Sequence, residues 1–130
     1  MNFTGIIIEE SLADKSLLDG VKIVSTKVEL VTEKHQTPWV KQWTMRRVDI
    51  PMNKAAEVAE KISKALDPDH NWYADFKTDK EHFIVYRAKF FHITDRSNKE
   101  QYDAATKHGI SIGIPDYQVD FSPHVTQWER

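Results

Sequence analysis

The stretch of residues 71–95 constrains the fold more than any other part of the chain. It holds seven of the fourteen aromatic residues, and its apolar and polar residues alternate with a period of two. Successive side chains of a β-strand point to opposite faces of a sheet, so this alternation predicts a β-hairpin that turns at residues 78–81. The face that the pattern predicts to be core carries Ala74, Phe76, Phe83 and Val85.

The opposite face of the predicted hairpin combines aromatic and ionisable side chains. It carries Tyr73, Asp75, Lys77, His82, Ile84 and Tyr86. We expect this face to point away from the helices. A carboxylate that orients an imidazole beside phenols is a workable acid–base set, which makes Tyr73, Asp75, His82 and Tyr86 candidate catalytic residues. The alternative is that they are ordinary cross-strand contacts, worth about 0.2–1 kcal/mol each.

The order of predicted elements favours an α+β fold. It predicts an antiparallel sheet with helices on one face, a ferredoxin-like βαββαβ core, an extra strand and a C-terminal helix. A different antiparallel sheet with helices on one side is the alternative, because the first helix is short for a crossover. The predicted strands are 3–9, 21–31, 39–50, the two arms of the hairpin and 90–94, and the predicted helices are 11–20, 53–66 and 97–109.

Several local signals set the expected ends of these elements. Asn53 can cap the second helix, and Ser97 with Glu100 forms a capping box at the start of the last one. Gly109 is the expected residue after the end of that helix. The phase of apolar residues changes within strand 39–50, which predicts a β-bulge near Arg46-Arg47.

No linker or repeat divides the sequence, so we expect a single α+β domain over residues 1–130. Residues 110–130 are predicted to form an extended tail that packs on the domain or on a partner. The N-terminus lacks the positive charge of a signal peptide, and no run approaches the ~18 apolar residues of a membrane span. These features predict a cytoplasmic protein with no membrane partner.

The charge balance and the missing motifs exclude several functional classes. Lysine and arginine number 18 against 20 acidic residues, which argues against nucleic acid as the partner. Residues 87–91 match the RNA-recognition pattern only loosely. The chain has no cysteine, none of its six histidines forms a zinc-binding motif, and no glycine-rich phosphate loop is present. We therefore predict no metal and no cofactor.

The tryptophans point to an interface. Four in a domain of this size is a large number, and aromatic residues are enriched at interfaces as well as in cores. The candidate binding residues are Trp39, Trp43, Arg87 and Trp128. A homo-oligomer or a protein partner is the expected ligand of this set, with packing inside the domain as the alternative.

Four segments carry a resemblance, and together they span nearly the whole chain: GIIIEES, NWYADF, HFIVYR and DRSNKEQYDAATKHGISIGIPDYQVDF. With them the sequence resembles a group of small prokaryotic proteins of about this length that have no assigned function. The resemblance implies a single domain in a bacterial or archaeal cytosol, and it brings no catalytic motif.

These observations favour a binding or interaction protein that acts through its aromatic sheet face or as a homo-oligomer. The alternative is a small enzyme, or a binder of a small ligand, that uses the tyrosine, aspartate and histidine side chains of the hairpin. The sequence leaves the identity of any such small molecule open.

Overall fold

A computed structural model describes residues 2–33 and 37–114 of the chain. Its centre is one six-stranded sheet, in which every neighbouring pair of strands is antiparallel. The strands are β1 (Asn2–Ile8), β2 (Lys22–Leu30), β3 (Gln42–Pro51), β4 (Tyr73–Lys77), β5 (His82–Tyr86) and β6 (Lys89–Ile93), and the helices are α1 (Ala55–Ala65) and α2 (Lys99–Ser111). The order across the sheet is β2-β3-β1-β4-β5-β6. The predicted α+β class is confirmed.

The hairpin of β4 and β5 has the predicted register. Phe76 pairs with Phe83, Ala74 pairs with Val85, and the backbone N–H of Thr78 donates to the carbonyl of Glu81 at 2.8 Å to close the turn. Phe76 and Phe83 stack with ring centroids 5.1 Å apart. The face predicted to be core is therefore buried.

Helix α1 covers this phenylalanine face. Its apolar residues Val58, Ala59 and Ile62 recur at helical spacing and belong to the same buried cluster as Phe76 and Phe83. The expected cap at Asn53 is wrong. Residues 52–54 instead form a 3-10 turn, and the helix begins after Lys54 without a side-chain cap.

Helix α2 lies on the other face of the sheet, which corrects the expectation that both helices share one face. Its residues Tyr102 and Ala105 form a second buried cluster with Ile84, Tyr86 and Ile93. Ile84 and Tyr86 alternate with Phe83 and Val85 along β5, so the two clusters lie on opposite sides. The half of the sheet that contains β5 is enclosed between two helices.

The ends of α2 also differ from the prediction. Asn98, not Ser97, is the N-cap, and its side-chain oxygen accepts from the backbone N–H groups of Glu100 and Gln101. The helix continues past Gly109, which is buried. The glycine with positive φ that follows the end of the helix is Gly113 (φ 97°).

Two 3-10 turns, Glu9–Ser11 and Lys15–Gly20, replace the first predicted helix. Leu12 lies between them and forms an isolated antiparallel bridge with Leu66, which holds this segment extended. Asp14 accepts a hydrogen bond from the backbone N–H of Ser16 and begins the second turn. With no α-helix between β1 and β2, the ferredoxin-like assignment stays a prediction.

The bulge was predicted in β3 near Arg46-Arg47, but it lies in the neighbouring strand β2. The register between β2 and β3 shifts between Ile23 and Ser25, opposite Arg47 and Val48. The apolar phase of β3 changes for another reason, because side chains of both parities are buried in it. They are Trp43, Met45, Val48 and Ile50.

Gly5 of β1 lies against the backbone of β4, where it pairs with Phe76. A Cβ atom at this position would lie 2.0 Å from the carbonyl oxygen of Asp75 and 2.6 Å from atoms of Phe76. Only glycine permits this contact. It places β4, and with it the hairpin, against the centre of the sheet.

The predicted tail is described only in its first residues. Positions 110 and 111 end α2, and Ile114 is buried in the cluster beneath that helix. The rest of the predicted tail, 115–130, lies outside the described residues. The described segments share one sheet, and the single domain over the whole chain stays a prediction.

Candidate functional site

The structure brings Asp75 and His82 together, as the alternation predicts. His82 Nε2 lies 2.7 Å from Asp75 Oδ2, and the two side chains come from adjacent antiparallel strands. A carboxylate only accepts hydrogen bonds, so Nε2 carries a proton and donates it to Asp75. His82 is 0% exposed and Asp75 is 5% exposed, so this pair lies in the interior.

Two further side chains extend this pair. His82 Nδ1 lies 3.0 Å from the Tyr102 hydroxyl, which accepts a hydrogen bond of 3.3 Å from Arg96 Nε. When the imidazole is neutral, Nδ1 accepts the hydrogen bond of the Tyr102 hydroxyl. The three hydrogen bonds that connect Arg96, Tyr102, His82 and Asp75 then all run in the direction of Asp75. We call these four side chains the buried network: Asp75, His82, Tyr102 and Arg96.

Sequence reasoning missed Tyr102 and Arg96. Each lies outside the two strands of the hairpin, and neither belongs to a motif with a chemical meaning. A weak signal was present in α2, where Tyr102 and Ala105 have the i,i+3 spacing of a buried helix face. That spacing shows burial but does not show which face of the sheet the helix covers.

The two candidate tyrosines lie near the network, under cover of α2. The Tyr73 and Tyr86 rings are 6.4 Å apart, and the Tyr86 hydroxyl donates to the Ala105 carbonyl at 2.7 Å. Burial raises the pKa of Tyr86 well above its ordinary range, and the charges of Tyr73 and Asp75 add to the shift. The expectation that this face points away from the helices is wrong, because α2 packs on it.

The candidate binding residues do not form one surface. Trp43 is buried, and its indole N–H donates to Thr37 Oγ1 at 2.9 Å. Arg87 donates to the carbonyls of Lys64 and Leu66 at 2.8 and 2.6 Å, so it caps the C-terminal end of α1. Trp128 lies outside the described residues.

Trp39 keeps a solvent-accessible surface, with 42% of its area exposed, and Arg87 is exposed as well. Its indole stacks on His70 with centroids 4.0 Å apart and meets Trp72 edge-on at 5.9 Å. His70 Nδ1 lies 2.8 Å from Asp67 Oδ2. This packing gives Trp39 a structural role at the start of β4.

A small cleft opens beside Arg96, on the sheet face that α2 covers. It has a volume of about 220 Å³ and is lined by Asn2, Thr4, Lys77, Thr78, Asp79 and Arg96. A second cleft, of about 400 Å³, lies between the 15–20 turn and α1 on the other side of the sheet. Arg96 is the one member of the buried network that lines the first cleft.

Strand β2 forms an exposed apolar surface at one edge of the sheet. Eight of its nine residues are exposed, and the ninth is half-buried. Four of the exposed side chains are large and apolar: Ile23 (40%), Val24 (49%), Val28 (55%) and Leu30 (74%). We call this strand with its four apolar side chains the β2 surface. The β-branched residues are visible in the sequence, but the sequence does not show that both described helices, α1 and α2, leave them exposed.

Other kinds of site find no support within residues 2–33 and 37–114. No three histidine, aspartate or glutamate side chains in these ranges converge in a way that could hold a metal ion. Neither α1 nor α2, the two described helices, is long and apolar enough to cross a bilayer.

No family model, curated protein or solved structure matches this chain. The roles of the candidate residues therefore have to be argued from their geometry alone.

Proposed function

We propose that this protein is an interaction module that binds a second copy of itself through the β2 surface. The observation that carries the proposal is the exposure of four large apolar side chains on a nine-residue edge strand. The aromatic face of the hairpin is a weaker choice because α2 packs on it. The β2 surface takes its place as the binding surface.

The backbone of β2 supports this proposal. An edge strand presents a row of N–H and C=O groups that no neighbouring strand pairs, and such a row is a template for another strand. In the described sheet β2 pairs only with β3, so no described strand lies on its outer side. The bulge at Val24 limits regular pairing to the part of the strand that follows it.

The side chains of β2 select one register for self-pairing. An antiparallel pair of β2 strands centred on Val28 places Val28 opposite its own copy and Leu30 opposite Thr26 of the second copy. All three side chains lie on the sheet face that α1 covers elsewhere, because they pair with alternate residues of β3. The apolar side chains would thus bury each other along the seam.

The charges of β2 favour the same register. Centring the pair on Val28 places Lys27 opposite Glu29 of the second copy, and the two-fold axis repeats this pair. A register centred on Lys27 would instead oppose two lysines, and like charges directly opposite each other are destabilising. Charge complementarity therefore supports a closed dimer with a single register.

Mass in solution as a function of concentration tests the proposal. We expect the full chain to approach the dimer mass at high concentration, and we expect Val28→Lys to stay monomeric because it places two ammonium groups at the two-fold axis. The control is Ile110→Lys on α2, where a side chain that is 48% exposed receives the same change. A monomeric wild type, or equal behaviour of the two variants, would contradict the proposal.

We also propose a cytoplasmic location, membership of the small prokaryotic group that the sequence resembles, and a ferredoxin-like form of the core. The strand neighbours β2-β3-β1-β4 and the position of α1 between β3 and β4 support the last of these.

A further inference from the structure

We propose that the cleft beside Arg96 binds a phosphate group, either as the free ion or as a phosphate monoester. The proposal is independent of the β2 surface, which lies at the edge of the sheet beyond β3 and β1. It rests on the fixed position of the Arg96 guanidinium, on the charge of that group and on the donors around it.

Two hydrogen bonds fix the guanidinium. Arg96 Nε donates to the Tyr102 hydroxyl at 3.3 Å, and Nη1 donates to the carbonyl of Thr78 at 3.0 Å. Tyr102 is in turn held by His82 at 3.0 Å, and His82 is held by Asp75 at 2.7 Å. A guanidinium oriented in this way loses little side-chain entropy when a ligand binds to its remaining donors.

Within the described part of the chain, no acidic side chain forms a salt bridge with Arg96. The side chain is half-buried, and it forms no ion pair with any residue in 2–33 or 37–114. Its Nη2 group makes no hydrogen bond to these residues either. Partly buried cations are usually paired, so an anion in the cleft would supply a partner that these residues do not.

The rest of the lining suits an oxyanion. Lys77 adds a second cation to the cleft, and Thr4 and Thr78 add hydroxyl groups. Thr78 Oγ1 already accepts from the backbone N–H groups of Lys80 and Glu81, so its hydroxyl hydrogen is directed elsewhere. Asp79 is the one acidic residue of the lining, so the lining has a formal net charge of +1 from Lys77, Arg96 and Asp79.

The size of the cleft limits the ligand. A volume of about 220 Å³ lies below the ~300–1,000 Å³ of pockets that enclose drug-sized ligands. The cleft therefore fits a phosphate group, and a larger substituent of a monoester would extend into solvent. Arginine forms two parallel hydrogen bonds to phosphate, which favours this oxyanion over a single-point contact.

Titration calorimetry of the full chain with inorganic phosphate, phenyl phosphate and benzoate tests the proposal. We expect both phosphates to bind, and we expect Arg96→Gln to weaken them at least tenfold. Arg96→Lys keeps the charge but loses the forked geometry, so its affinity for phosphate should lie between those of the wild type and Arg96→Gln. Benzoate has a similar ring with a planar carboxylate, and it should bind more weakly than phenyl phosphate.

Lys61→Gln is the matched control, because Lys61 lines the cleft on the other sheet face and pairs there with Glu57 at 3.5 Å. It should leave phosphate binding unchanged. A wild type that binds no phosphate would overturn the proposal, as would equal binding by Arg96→Gln. A loss of binding in Lys61→Gln would assign phosphate to the other cleft and would overturn it as well.

Tyr102 is proposed as a positioning residue, and Tyr102→Phe tests that role. The variant keeps the ring that packs beneath α2 but removes the acceptor for Arg96 Nε. In the wild type the Nε–H resonance of Arg96 should exchange slowly with water and shift when phosphate is added. In Tyr102→Phe it should exchange faster, and phosphate should bind several-fold more weakly. Unchanged exchange and unchanged affinity would contradict the role.

Discussion

Strands β5 and β2 lie in the same sheet, and both are rich in apolar residues, yet their surroundings are opposite. All five residues of β5 are buried, and eight of the nine residues of β2 are exposed. The difference comes from the helices, because α1 covers one face of β5 and α2 covers the other. Strand composition thus does not decide which part of this sheet is core and which part is free to bind.

The largest effect expected from this comparison is at Phe83. Phe83→Ala should lower the free energy of unfolding by about 3–5 kcal/mol, because removal of the phenyl ring leaves a cavity in the core. Phe83 contacts Phe76, Phe3 and His92 with centroids 5.1, 5.3 and 4.1 Å apart. Urea unfolding measures the change.

The matched change on β2 is Val28→Ala, at a side chain that is 55% exposed. In dilute solution, where the chain is a monomer, it should change the free energy of unfolding by less than about 0.5 kcal/mol. Equal losses in the two variants would contradict the contrast between the strands.

The next effect is at the junction that places the hairpin in the sheet. Gly5→Ala should cost about 3 kcal/mol, the upper end of overpacking, because its Cβ would lie 2.0 Å from the Asp75 carbonyl oxygen. Gly20→Ala is the control, since nothing lies within 4 Å of its Cβ position. Thermal unfolding should show a large drop in Tm for the first variant and almost none for the second.

The hairpin itself could be predicted from the sequence to the residue. The alternation of Phe76 and Phe83 with Asp75 and His82 sets both register and pairing, and a slip of one residue would reverse every side chain. The face covered by α2 could not be predicted. Both faces of β5 carry apolar residues, so α2 could pack on either of them. The partners Tyr102 and Arg96 depend on that choice.

A smaller effect follows from the buried hydroxyl of Tyr86. Tyr86→Phe removes the hydrogen bond to the Ala105 carbonyl and should cost about 1 kcal/mol near neutral pH. The pKa of Tyr86 is raised in the folded state, so the folded protein keeps this proton above pH 10 more firmly than the unfolded chain does. The wild type should therefore lose stability as the pH rises above about 10.

The Tyr86→Phe variant has no hydroxyl to ionise, so its unfolding free energy should fall less steeply over the same alkaline range. Parallel curves for the two proteins above pH 10 would show that this tyrosine is not the group responsible.

The smallest effect is at the turn between β5 and β6. Ala88 has a positive φ of 65°, a conformation that costs a non-glycine residue about 1 kcal/mol. Ala88→Gly should raise the free energy of unfolding by about 0.5–1 kcal/mol, because glycine relieves this strain. Chemical unfolding at fixed pH measures it. A destabilised variant would mean that the methyl group contributes packing that outweighs the strain.

Complementary charge variants test whether the chain pairs with itself through the β2 surface. Lys27→Glu and Glu29→Lys each place like charges opposite each other twice in the Val28-centred register. Each should weaken self-association by about 10–100-fold, from ~1.5–3 kcal/mol. An equimolar mixture restores both pairs, so sedimentation should show a heterodimer in the mixture and monomers in each solution alone. A mixture that sediments as the sum of two monomers, or single variants that associate like the wild type, would contradict the account.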